Sequence, residues 1–171
     1  MKHLLVLILL FPSMLKAQEC EMKNTTDPYT KEQKLSTGFS EFGKGSNRFK
    51  LSMDANKREI ELIFSVITTG DGKCFNDAST ATITYEGGRQ KGNFKNTLAM
   101  NCKGLFTITF KNATTTPSVL QNLASKKSIS IKLTSTDKSV TEVVLTGAEQ
   151  EQFMHMAACI IARSKTLLAT P

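Results

Sequence analysis

The chain has few of the residues on which many enzymes depend. It contains no tryptophan, two tyrosines and two histidines, and only His155 lies beyond the first few residues. A serine or cysteine nucleophile needs a base beside it, most often a histidine. The GxSxG motif that carries the serine of many hydrolases is also missing. Nucleophilic catalysis is therefore not predicted, and we interpret His155 as a partly buried surface residue beside the apolar stripe of a helix.

Metal-binding spacings are missing as well. No two cysteines form a CxxC pair, and the four cysteines lie 54, 28 and 57 residues apart. Structural zinc sites draw four Cys or His ligands from short, paired spacings. In the loop of residues 68–77, Asp71, Asn76 and Asp77 do not have the alternate spacing of an EF-hand calcium loop. The sequence therefore predicts no metal site and no cofactor.

Only one long apolar run occurs, and it lies at the start of the chain. A basic residue, Lys2, is followed by apolar residues 4–11 and by a small residue, Ala17. This pattern is typical of a secretory signal peptide, and the run is too short to span a bilayer. We expect residues 1–17 to be removed by cleavage near Ala17, which gives a secreted or periplasmic protein without a transmembrane segment. Two NxT sequons, at Asn24 and Asn112, lie in predicted surface loops.

Basic residues are scattered rather than clustered. Without the predicted signal peptide, 20 basic and 15 acidic residues remain, a net charge of +5, with no run of five like charges. Nucleic-acid binding is not expected, because it favours a basic stripe interleaved with aromatic rings. The nearest case is the set Arg89, Lys91 and Lys95, which share one alternating face and form a possible anion-facing surface. The alternative is the solvated face of an edge strand, where lysine also discourages aggregation.

Hydrophobic alternation predicts a protein that is mainly β. Residues 18–47 are polar and turn-rich and are interpreted as an N-terminal arm, residues 48–165 as a single β-rich domain, and residues 166–171 as a tail. Residues 59–69 are apolar on both faces in their second half, which predicts a central strand. We expect an α+β fold, with an antiparallel sheet or flattened sandwich and a short helix and a C-terminal helix packed on it.

Two helices are predicted from their end signals. In the shorter helix, Thr116 is the expected N-cap and Pro117 the first helical residue. In the C-terminal helix, Thr146 and Glu149 have capping-box spacing. The apolar residues of this last helix recur three and four apart and predict one buried stripe. Its members are Phe153, Met156, Ala157, Ile160 and Ile161.

Four cysteines in an exported chain predict two disulfides, and spacing alone leaves three connectivities. A two-residue loop at Gly87-Gly88 would pair hairpin residues whose numbers sum to 175. In that register Cys74 faces Asn101, and one bulge moves its partner to Cys102. The hairpin thus favours a Cys74–Cys102 bond across its open end. The remaining pair would be Cys20–Cys159, between the N-terminal arm and the last helix.

Paired carboxylates are the one catalytic arrangement that the sequence leaves open. A glycosidase needs only two acids that the fold sets opposite each other, and spacing along the chain does not reveal them. Most acids here lie at predicted turns, at strand edges or in the first turn of a helix, where structure alone would place them. A secreted hydrolase that uses carboxylates therefore remains an alternative.

The C-terminal half, TPSVLQNLASKKSISIKLTSTDKSVTEVVLTGAEQEQFMHMAACI, resembles a pattern in secreted bacterial proteins of unassigned function. In that pattern a short L..L helix leads to an I.I.L strand, a second strand and a closing helix. The resemblance implies no catalytic residue. We expect a non-enzymatic accessory or binding module whose partner is another secreted or envelope protein. The further alternative is an inhibitor or immunity-type partner of another protein.

Overall fold

The structure is a computed structural model that describes residues 20–67 and 72–169. The predicted signal peptide and its cleavage site lie outside the described residues. Within these described ranges, ten strands and two helices follow one another. The strands are β1 (Lys23–Thr26), β2 (Gln33–Ser36), β3 (Ser40–Lys44), β4 (Asn47–Ala55), β5 (Glu59–Val66), β6 (Thr80–Tyr85), β7 (Lys91–Lys95), β8 (Leu105–Lys111), β9 (Ser128–Thr134) and β10 (Val140–Val144), and the helices are α1 (Ser118–Ser125) and α2 (Gly147–Leu168).

The strands form two antiparallel sheets. The larger has the order β1-β2-β4-β5-β8, and β3 pairs with the first half of β4 while β2 pairs with its end. The smaller has the order β10-β9-β6-β7. The predicted fold class, mainly β with a short helix and a packed C-terminal helix, is confirmed. The predicted central strand is also confirmed, because β5 lies between β4 and β8.

One hydrophobic core joins the two sheets and α2. Helix α2 contacts β2 and β4 of the larger sheet and β9 of the smaller one. Alternation decides which side chains enter the core: in β5, for example, Ile60, Leu62 and Phe64 are buried while the residues between them are half-buried. Buried phenylalanine rings lie in contact across β4, β5 and β8. Phe153 of α2 packs edge to face against Phe42, with 6.3 Å between the ring centroids.

The ends of the helices test two of the predictions. The capping box of α2 is confirmed, since the Thr146 side chain accepts from the Glu149 amide and the Glu149 side chain accepts from the Thr146 amide. The predicted cap of α1 is wrong by one residue. Pro117, with an extended ψ of 136°, is itself the N-cap, and its carbonyl accepts from the Gln121 amide. Thr116 therefore precedes the cap.

Residues 20–47 contribute three strands to the larger sheet. Their anchors are Leu35 and Phe42, which are both buried. The division into arm, domain and tail stays a prediction, although α2 continues to Leu168 and buries Leu167. Among the described residues, neither helix combines the length and apolar character that crossing a membrane requires.

The predicted hairpin register is confirmed between β6 and β7. Thr84 pairs with Lys91 and Thr82 with Asn93, around a turn in which Gly87 and Gly88 have φ of 84° and 69°. Glycine adopts these positive values without strain. Further from the turn, the next bridge joins Phe75 to Asn101. The second strand of the hairpin therefore contains one residue more than the predicted register.

Both predicted disulfides are present. That extra residue places Cys74 beside Cys102, and their bond closes a span of 28 residues. The second bond, Cys20–Cys159, spans 139 residues and ties the start of the described chain to α2. In the chain-entropy treatment these bonds stabilise the fold by about 3.6 and about 5 kcal/mol, as upper values.

The two sequons differ. Asn24 lies in the fully exposed strand β1. Asn112 is 4% exposed, and its Nδ2 donates to the carbonyl oxygens of Asn56 (2.9 Å) and Ser164 (3.1 Å). The prediction that Asn112 occupies a surface loop is therefore wrong, because its amide is used to join α2 to the turn between β4 and β5.

Candidate functional site

The smaller sheet turns one face to the core and the other to solvent. In β6 the sequence Thr-Ala-Thr-Ile-Thr-Tyr sends Ala81, Ile83 and Tyr85 inwards, where all three are buried. The alternate residues point outwards, because successive side chains of a strand lie on opposite faces. The same alternation in β7, β9 and β10 makes an outer face that is polar except for two exposed valines of β10, Val140 and Val144.

Pairing between the four strands arranges this outer face in three rows of four residues. With strands about 4.8 Å apart and alternate residues about 6.8 Å apart, the twelve side chains cover roughly 14 by 14 Å. All twelve are exposed or half-buried. The rows are Val140-Thr134-Thr80-Lys95, Glu142-Lys132-Thr82-Asn93 and Val144-Ser130-Thr84-Lys91, and we call them the outer face.

The outer face is rich in hydrogen-bonding groups and carries an excess of positive charge. It has five hydroxyls and one amide, and its three lysines face a single acid, Glu142. The Thr82 hydroxyl donates to Asn93 Oδ1 at 3.0 Å, which leaves the amide NH2 of Asn93 for another acceptor. None of the three lysines has an ion pair within 4.0 Å among the described residues. A ligand with acidic groups would therefore meet cations that the fold has not already neutralised.

The structure places the sequence-predicted cations in two different positions. Lys91 and Lys95 lie on the outer face, two residues either side of Asn93. Arg89 lies in the exposed turn that precedes β7. Whether these residues contact an anion stays a prediction. Sequence reasoning missed Lys132, although its position in the alternating stretch Ser-Ile-Ser-Ile-Lys-Leu of β9 indicates an outward residue.

The solvent side of the larger sheet carries a second polar cluster, and its groups are already paired. Asp54 Oδ1 accepts from the hydroxyls of Ser36 (2.7 Å) and Ser52 (2.6 Å). Its other oxygen, Oδ2, lies 3.0 Å from Lys34 Nζ. Asp54 is only 8% exposed, so these partners satisfy a nearly buried carboxylate.

Glu61 is the acid directly opposite Asp54 on β5. Burial raises the pKa of Glu61, and Lys34, whose Nζ lies 4.0 Å from Glu61 Oε2, opposes that shift. Two acids that share one lysine form a structural ion cluster. The two carboxylates face each other across β4 and β5, which makes them a candidate for the acid pair that the hydrolase alternative requires.

Residues 72–77, the described part of the predicted loop, form a structural corner. Asp71 lies outside the described residues, and Asp77 is exposed. Asn76 Oδ1 accepts from the Ala78 amide at 3.0 Å, an Asx turn within the chain. Cys74 is bonded to Cys102, and its carbonyl accepts from the Thr136 hydroxyl at 2.6 Å.

His155 lies beside the other disulfide. Its Nε2 is 3.4 Å from Cys159 Sγ, one helical turn along α2. The donor atoms of Cys20, His155 and Cys159 all lie within 4.8 Å of one another. Sequence reasoning predicted the Cys20–Cys159 bond and placed His155 beside the apolar stripe, but it missed the cluster. The spacing of four residues between His155 and Cys159 on one helix was the signal that could have found it.

Comparison of the chain with protein-family models, with curated proteins and with solved structures finds no match of any of the three kinds. The resemblance of residues 116–160 to secreted bacterial proteins stays a prediction. Function is therefore inferred from the chemistry of the residues themselves.

Proposed function

We propose that the protein is an exported, non-enzymatic binding module that holds an acidic polysaccharide on the outer face of its smaller sheet. The observation that carries the proposal is a set of three lysines, placed among five hydroxyls on one open face, that form no ion pair with any residue the structure describes. Export follows from the predicted signal peptide, and two disulfides fit an oxidising compartment.

The composition of the face favours an acidic glycan over a neutral one. Neutral sugars are commonly bound by stacking on aromatic rings, and none of the twelve residues of the outer face is aromatic. Lysine ammonium groups attract carboxylate, sulfate or phosphate groups, while threonine hydroxyls and an amide can exchange hydrogen bonds with sugar hydroxyls. The same shortage of rings disfavours single-stranded nucleic acid, which stacks its bases on aromatic side chains.

A rigid scaffold supports binding by an open face. The four strands hold the rows in fixed register, and the Cys74–Cys102 bond fixes the chain where it leaves the smaller sheet for the larger one. Preorganised groups lose little conformational entropy when the ligand binds. Because the lysines are solvent-exposed, the attraction should weaken as salt screens it.

The two alternative functions, a hydrolase and a protein-binding partner, require different residues or ligands from those of this proposal. A carboxylate-dependent hydrolase would use Asp54 and Glu61, yet Asp54 already has three partners and so has little capacity left as a base. A protein inhibitor, or an accessory module for an envelope protein, would bind a partner protein tightly and show no preference for glycans.

The test is a binding comparison across polymers of defined charge. The mature protein is titrated by calorimetry with polygalacturonate, with dextran sulfate and with neutral dextran. The decisive variant is K91Q/K95Q/K132Q, and its matched control is K50Q/K103Q/K111Q, which removes the same charge elsewhere. The outer-face variant should bind the acidic polymers about tenfold more weakly, because three exposed ion pairs contribute about 0.5 kcal/mol each.

Several results would contradict the proposal. Binding to neutral dextran as strong as to the acidic polymers would remove the electrostatic basis. Equal losses in both triple variants would show only a general charge effect. Turnover of a polymer that is abolished by E61Q would favour the hydrolase, and capture of one partner protein with no affinity for any polymer would favour the inhibitor.

A further inference from the structure

Cys20, His155 and Cys159 are residues of the kinds that bind metal ions, but the two cysteines are joined in a disulfide. Two of the three donors are placed by one element, since His155 and Cys159 lie four residues apart on the same face of α2. Cys159 is 4% exposed, whereas Cys20 and His155 are half-buried. The cluster therefore has a buried base and a side that solvent can reach.

The distances fit a tetrahedral metal with little change on the helix. Zinc bonds of about 2.3 Å to sulfur and about 2.05 Å to nitrogen place these two ligand atoms about 3.6 Å apart in a tetrahedron. The observed separation of His155 Nε2 and Cys159 Sγ is 3.4 Å. Two thiolates on one zinc ion lie about 3.8 Å apart. On reduction only the Cys20 sulfur has to move, because Cys159 already lies at the required distance from His155.

We propose that reduction of the Cys20–Cys159 bond creates a binding site for a thiophilic divalent cation, with zinc as the reference metal. A dithiol reductant supplies two electrons and two protons: its own sulfurs become a disulfide, and Cys20 and Cys159 become thiols. Zinc then displaces both thiol protons and binds two thiolates and the neutral imidazole of His155. Water fills the fourth position.

The other disulfide provides an internal control. No histidine other than His155 occurs among the described residues, and the cluster at Cys20 contains it. The Cys74–Cys102 pair also lies directly beside the two backbone hydrogen bonds that join Phe75 and Asn101. Reduction there yields two thiols and no third ligand from a cysteine or histidine of the described chain.

The experiment uses zinc alone as the probe. The variant C74S/C102S leaves one cysteine pair, and it is studied oxidised and after reduction with a phosphine that is then removed. The reduced protein should retain about one zinc ion per chain after desalting, and the oxidised protein none. Adding H155Q should weaken zinc binding at least tenfold, because even partners outside the coordination shell contribute 10- to 100-fold to metal affinity.

Cobalt gives a second readout. Bound to the reduced protein, Co²⁺ should show a thiolate-to-metal charge-transfer band and the visible absorption of tetrahedral coordination, and H155Q should alter the visible bands. If the reduced protein unfolds, zinc should restore its circular dichroism, because binding free energy is then folding free energy. Zinc that neither binds nor restores the fold would overturn the proposal. So would equal retention by the oxidised protein, by H155Q or by C20S/C159S.

Discussion

The solvent faces of the two sheets are built from similar residues and differ in how those residues are paired. On the larger sheet, Asp54 is bonded to two serines and a lysine, and Glu61 shares that lysine. On the smaller sheet, three lysines lie among hydroxyls with no ion pair within 4.0 Å in the part of the chain that the structure describes.

This difference separates a structural use of charge from a functional one. Nearly buried polar groups must find partners within the protein, because leaving one unpaired costs about 1–3 kcal/mol. Exposed lysines are hydrated and lose little without a partner. Removing the charge of Asp54 from the larger sheet should therefore change stability, while removing lysines from the outer face of the smaller sheet should change binding.

The largest expected effect is that of D54A, which breaks the cluster on the larger sheet. Ser52 is 2% exposed and would lose its carboxylate acceptor, and Lys34 would lose its closest ion pair. Urea unfolding should show a loss of about 2 kcal/mol in the free energy of unfolding. D54N, which keeps one acceptor oxygen, should lose about half as much. Equal stability of D54A and the parent would mean that the cluster is not structural.

A smaller effect is expected at Glu149, which joins α2 to the larger sheet. Its Oε1 accepts from the Gly43 amide and its Oε2 from the Thr146 amide, both at 2.7 Å. E149Q keeps only one acceptor oxygen and should lose about 1 kcal/mol. E151Q is the matched control, because Glu151 is exposed on the same helix. Equal losses in both variants would point to net charge instead of these bonds.

The same carboxylate predicts a pH dependence. Desolvation raises the pKa of Glu149, but the hydrogen bonds from Gly43 and Thr146 outweigh it and leave the pKa below its ordinary value of 4.5. Its stabilisation is thus present above pH 4.5 and is lost as the pH falls through the lowered value. Between pH 5 and pH 3, the parent should lose more stability than E149Q does.

On the smaller sheet, Asp137 should give a weaker effect at lower pH. Hydrogen bonds from the Ser135 hydroxyl and the Ser139 amide lower the pKa of Asp137 to about 2, in the exposed turn between β9 and β10. Its contribution is present above pH 3.8 and is lost as the pH falls towards 2. Melting temperatures measured in that pH window should fall less steeply for D137N than for the parent. D77N, which changes another exposed acid in a turn, is the control and should behave like the parent.

The turn signal at Gly87-Gly88 predicted the pairing of β6 with β7, and alternation along the chain predicted the central strand β5. It failed for β1, whose four residues are all exposed, because pairing with β2 gives this strand its structure without an apolar pattern. The start of α1 was misplaced because residue type favours Thr116 as the N-cap and Pro117 as the first helical residue, whereas the extended ψ of 136° at Pro117 makes the helix begin one residue later.

Contacts between distant parts of the chain could not be predicted in the same way. The sequence showed that Lys91 and Lys95 lie on the same face of one strand. Their position on the same face of the sheet as Lys132 depends on the pairing of β9 with β6. The acid pair of Asp54 and Glu61 likewise depends on the register of β4 and β5. Sequence supplies the face on which a residue lies, and tertiary pairing supplies its neighbours.

The smallest expected effect is the one that best separates the two faces. K91Q/K95Q/K132Q should leave the free energy of unfolding within about 0.5 kcal/mol of the parent, since exposed substitutions without partners rarely change it more. Measured by urea unfolding in the buffer used for binding, this result would assign any loss of polymer affinity to the face itself. A loss of stability as large as that of D54A would mean that these lysines are structural, and the contrast between the two sheets would disappear.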